Sequence, residues 1–104
     1  MIVYYKLVRD KIPEIIENAG KTCIIETLDD KQYITMLEEK LNEELVEYQT
    51  DKSIEEMADL YEVMLATIKA RGWSLAQLEQ ERAEKAESRG KFDKKILLKE
   101  VSEK

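Results

Sequence analysis

Two apolar stripes of helical period, separated by a break of four residues, fix most of what this chain can fold into. Ile34, Leu37, Leu41, Leu45 and Tyr48 recur at three- and four-residue intervals, the spacing that lines one face of a helix. After Thr50-Asp51-Lys52-Ser53 the pattern resumes with Met57, Tyr61, Met64, Leu65 and Ile68. A connector that short reverses the chain and joins antiparallel neighbours, so the centre of the sequence is predicted to be a helical hairpin. Its first helix opens at Asp29 or Asp30 and runs to about Asp51; its second runs to about Arg71, with Gly72 as the stop. Leu60, Val63 and Thr67 widen the second apolar arc to more than half the circumference. A helix of that kind is covered on two sides, here by a second subunit.

Shorter signals flank the hairpin. Asp10 is placed to cap a first helix, Pro13 is tolerated in its first turn, Ile12, Ile15 and Ile16 supply its stripe, and Gly20 ends it. Ser74 and Gln77 have capping-box spacing for a last helix to about Ser88, with Gly90 beyond it. Thr22–Leu28 is β-branched and apolar, and Ile96-Leu97-Leu98 offers a second short strand. The two could pair as a small antiparallel ribbon packed on the helices, since a lone ribbon is marginal. The expected fold is therefore all-α: a single domain over residues 1–104, built as a four-helix, oligomeric helical bundle with a minor ribbon at about 22–28 and 95–101.

Composition removes several function classes. The net charge is −6, which argues against a nucleic-acid polymer as partner. The absence of histidine removes Ser-His-Asp catalysis and the usual zinc sites. The single cysteine, Cys23, lies in an apolar run and reads as a small buried hydrophobe. With no run long enough to span a membrane and no signal-like start, the expected location is the cytoplasm.

The chemistry concentrates in two acidic echoes, Glu44-Leu45-Val46-Glu47 and Glu56-Met57-Ala58-Asp59. Each pair has i, i+3 spacing, so both carboxylates lie on one side of a helix. Taking about 100° per residue, Glu44 lies about 60° and Glu47 about 120° from the centre of the first stripe. Glu56 falls inside the second arc and Asp59 at its edge. Carboxylates beside buried faces are costly unless something positive joins them. No basic residue sits within either tetrad, and Mg2+, with Mn2+ as a substitute, suits such an oxygen-rich set. A competing role exists for Glu56, because Ser53-x-x-Glu56 is itself a capping box. Basic clusters flank the tetrads in sequence: Lys6, Arg9 and Lys11 near the start, Arg82, Lys85, Arg89 and Lys91 near the end. Such clusters either solvate a helix end or hold a phosphate chain.

The tetrads resemble the E-E-x-x-E … E-x-x-D motif of the all-α nucleoside triphosphate pyrophosphohydrolases, the MazG-like superfamily. The opening Tyr5-Lys6-Leu7-Val8-Arg9-Asp10-Lys11-Ile12-Pro13 and the close Glu84–Phe92 are similar to a small bacterial and phage branch, with Lys91 where a second glycine is usual. The resemblance implies Mg2+-dependent cleavage of a nucleotide between its α and β phosphates, giving a monophosphate and pyrophosphate in nucleotide house-cleaning. It implies Glu44, Glu47, Glu56 and Asp59 as metal ligands, a carboxylate base (Glu43 or Glu47), and Lys6, Arg9, Lys11 and Arg89 on the phosphates. A homodimer or homotetramer is the implied assembly. The alternatives are a phosphoribosyl-ATP pyrophosphohydrolase of histidine biosynthesis and a non-catalytic helical interaction module.

Overall fold

Capping decides where the long helices begin and end. The Asp29 side chain accepts from the Gln32 backbone N–H at 2.8 Å, and the Gln32 side chain accepts from the Asp29 N–H at 3.2 Å. That reciprocal box opens helix α2, Asp30–Asp51. At its far end Lys52 turns left-handed (φ 52°) and donates its N–H back to Tyr48 O at 2.7 Å. Ser53 comes next in extended conformation and caps α3, Ile54–Ala70, accepting from the Glu56 N–H at 3.2 Å. Lys52 and Ser53 are thus the whole connector. The structure, a computed structural model, describes residue 2 and residues 4–103.

Helices α2 and α3 pack on each other. Leu37 (2% exposed) and Ile68 (9%) are the buried apolar residues of this seam, and Arg71 ties the end of α3 to Glu38 of α2 at 2.9 Å. Leu45, Met57, Tyr61 and Met64 were predicted to face the core, yet each remains at least 39% exposed. One partner helix covers only part of an apolar arc as wide as that of α3.

The short first helix, α1, spans Ile12–Asn18 with Pro13 in its first turn. Lys11 is its N-cap, without a side-chain cap bond, so Asp10 stands one residue too early for the predicted cap. Gly20 (φ 82°) closes the helix: its N–H reaches Glu17 O, and the Lys21 N–H reaches Ile16 O. This double return is the Schellman arrangement, and its left-handed residue favours glycine. Gly72 (φ 81°) ends α3 identically, with the Trp73 N–H on Ile68 O.

The chain divides into two compact units, Met1–Trp73 and Ser74–Lys104. The second holds α4, Leu75–Arg89, opened by the predicted Ser74/Gln77 capping box and closed at Gly90. The described residues are all-α, with four helices. The predicted ribbon is not formed: neither 22–28 nor 95–101 contains a strand among the described residues. Ile24, Ile25, Ile96, Leu97, Leu98 and Val101 are between 66% and 102% exposed. Without an apolar layer beneath it, a two-stranded ribbon has too little burial to persist.

Candidate metal centre

The hairpin connector brings one acidic pair opposite the other. Glu44, Glu56 and Asp59 each offer an oxygen, and these oxygens lie within 4.8 Å of one another. Glu44 is 7% exposed, as its angle beside the α2 stripe predicts; Glu56 and Asp59 are half-buried. Two oxygens of this trio, Glu44 Oε2 and Glu56 Oε2, are buried without any hydrogen-bond partner. An unpartnered buried carboxylate oxygen is costly.

Three of the four predicted ligands form this trio, and the predicted competition at Glu56 is resolved by its backbone. Ser53 Oγ caps the Glu56 backbone N–H, but the Glu56 side chain does not return the bond. Its carboxylate is left to the cluster. Glu47 is the residue outside the trio: it lies exposed, farther from the seam than Glu44, as its larger angle from the stripe dictates. It still stands close to Glu56. Burial, then the charges of Glu47, Asp51 and Asp59, then a hydrogen bond with Glu47 push the Glu56 carboxyl above its ordinary value.

The expectation that no base neutralises the tetrads holds only within the tetrads themselves. Arg9 Nη2 meets Asp59 Oδ1 at 2.7 Å, and Lys6 Nζ meets Glu43 Oε1 at 3.3 Å. Lys40, which no sequence motif singled out, reaches both Glu43 and Glu44 at 3.4 Å. Its i, i+3 and i, i+4 spacings to those residues were the available signal. Partial burial pushes the Glu43 carboxyl up, but the charges and hydrogen bonds of Lys40 and Lys6 outweigh it and hold Glu43 below its usual range. Glu43 therefore faces two cations, whereas Glu56 has no cation partner among the described residues.

Of the remaining predicted phosphate ligands, Lys11 is the N-cap of α1 and Arg89 lies in the last turn of α4, in the other compact unit. A separate groove is lined by Asp10, Asp30, Tyr33, Glu62, Leu65 and Lys69, with Ala66 and Ala70. Glu62 is one turn along α3 from Asp59, and none of the clustered carboxylates lines the groove.

The donor set fits a hard divalent cation. All three groups are carboxylates, and an octahedral Mg2+ with oxygens at about 2.0–2.1 Å spans about 4.1 Å between opposite ligands. Small side-chain adjustments bring a 4.8 Å cluster to that size. The two orphaned oxygens are the acceptors such an ion would satisfy.

No protein-family model matches the chain, and no solved structure matches it. A stretch of 42 residues, 40% of this chain, is 50% identical to part of an uncharacterized protein of Mycolicibacterium smegmatis. The match covers 43% of that relative's length, so the chain is similar to it over less than half of either protein.

Proposed function

We propose that this protein is a Mg2+-dependent nucleotide pyrophosphohydrolase, cleaving a nucleoside triphosphate between the α and β phosphates. The observation that carries the reading is the trio Glu44, Glu56 and Asp59 with its two buried, unpartnered oxygens. A hairpin stabilised only for its own sake would not place such oxygens in its seam. The sequence resemblance supplies the substrate class.

In this reading the trio holds the cation, which when bound neutralises charge on the phosphate oxygens. Lys6 and Arg9, already beside the acidic cluster, hold the phosphate chain. Glu47 takes the proton from the attacking water. It is preferred to Glu43, whose oxygen is engaged by Lys6 and Lys40 and whose lowered pKa makes it the weaker base. The protein works as a homo-oligomer: Met57, Tyr61 and Met64 of α3 and Leu45 and Val46 of α2 form apolar surface that a second copy would cover.

The test is pyrophosphate release from a nucleotide panel that includes phosphoribosyl-ATP, with Mg2+ or Mn2+. The expected result is metal-dependent release, abolished by Glu56→Gln in a protein that keeps its helical circular dichroism. No release from any nucleotide with either metal would overturn the reading. The exposed apolar residues of the hairpin would then favour the helical interaction module instead.

A further inference from the structure

Asp59 differs from the other members of the acidic trio. Glu44 has a side chain only 9% exposed, with its Oε2 unpartnered, and Glu56 likewise carries an unpartnered buried oxygen. Asp59 instead is held by a cation from outside the hairpin, Arg9, at 2.7 Å. That contact is shorter than the neighbouring Lys6–Glu43 pair at 3.3 Å. A metal arriving at the trio meets two unpartnered oxygens, on Glu44 (whose other oxygen is 3.4 Å from Lys40) and on Glu56, and a third carboxylate paired closely with Arg9.

We propose that Arg9 is an exchange residue: it holds Asp59 in the metal-free protein and passes to the substrate's phosphate chain once Asp59 turns to the metal. The inference rests on the metal-dependent phosphohydrolase reading above and adds an order of events to it. One observation and two physical arguments support it. The Arg9 side chain is 59% exposed, so little packing resists its movement. A guanidinium offers the same planar fork to a carboxylate and to a phosphate. Asp59 cannot give its full charge to a guanidinium and a divalent ion together, so the incoming cation weakens the pair and frees Arg9 beside the place where phosphate would lie. Coupling of this kind is reciprocal: metal tightens nucleotide binding through Arg9, and nucleotide tightens metal binding by the same factor.

The experiment is titration calorimetry of Mg2+ and Mn2+ into wild type, Arg9→Gln and Lys6→Gln without nucleotide, then of a non-hydrolysable nucleoside triphosphate analogue with and without metal. Removing Arg9 removes a competitor for Asp59, so metal binding should tighten about two- to fivefold, the range an exposed ion pair supports. Lys6→Gln deletes the same charge from the same segment but touches Glu43, so it should change metal affinity by much less. The gain that metal gives to analogue affinity should shrink in Arg9→Gln. Looser metal binding in Arg9→Gln would make Arg9 an orienting partner of Asp59 and overturn the exchange. Unchanged binding, or equal tightening in Lys6→Gln, would overturn it too. In each of these cases the wild type still binds metal and the broader reading stands. A wild type that binds neither Mg2+ nor Mn2+ would remove both.

Discussion

A carboxylate that is 7% exposed, with one oxygen 3.4 Å from Lys40 and the other unpartnered, is a net cost to the hairpin. An unsatisfied buried polar atom costs about 1–3 kcal/mol, and Lys40 keeps Glu43 as a partner when Glu44 is removed. Glu44→Leu is accordingly expected to raise the metal-free unfolding free energy by about 1–2 kcal/mol in urea titrations, while abolishing any stabilisation by Mg2+. Glu56 makes a pH prediction. Its carboxyl is raised by burial and by Glu47, Asp51 and Asp59, so folding favours its protonated form. The stability it contributes is fully present below the ordinary carboxylate pKa and is lost as pH rises through the raised folded value. Thermal melts in EDTA should therefore show wild type losing stability between mildly acidic and neutral pH, with Glu56→Gln losing less. The angular positions of Glu44 and Glu47 on the α2 stripe were readable from sequence because a helix wheel needs no partner. Which cations face them was not: Lys6 and Arg9 reach Glu43 and Asp59 from 37 and 50 residues away.

At the scale of elements, local chemistry explains what was legible. The helix stops at Gly20 and Gly72, the Ser74/Gln77 box and the hairpin turn all depend on residues within one turn of each other. The ribbon failed because strand propensity at 22–28 and 95–101 speaks only for the segments, and their apolar side chains find no layer to cover. The Ser53 cap separates two functions that its sequence pattern had merged. Only the Glu56 backbone takes part in it. Ser53→Ala should thus cost about 1 kcal/mol of stability, as loss of an N-cap does, and leave metal affinity nearly unchanged. Chemical denaturation and metal titration on the same variant would check both halves.

On the scale of the molecule, uncovered apolar surface is the dominant unsatisfied force. Tyr61 is 50% exposed in the middle of α3, with Met57 and Met64 one turn to either side at 39% each. Sedimentation velocity is expected to find wild type as a dimer or larger, and Tyr61→Glu shifted toward monomer, because a charge in that patch would be desolvated on assembly. Sequence periodicity revealed the width of this arc but not which part the neighbouring helix would leave bare. The hairpin connector has a consequence of another kind. Lys52, left-handed, and Ser53, extended, are all that separates α2 from α3, and a residue added to or lost from so short a turn changes both the direction and the rotation with which α3 leaves it. Such a change would swing Glu56 and Asp59 off the side that faces Glu44. Surface turns ordinarily drift in length over evolution; this one is a ruler, and a lineage that keeps the acidic trio must conserve its length even where it conserves none of its residues.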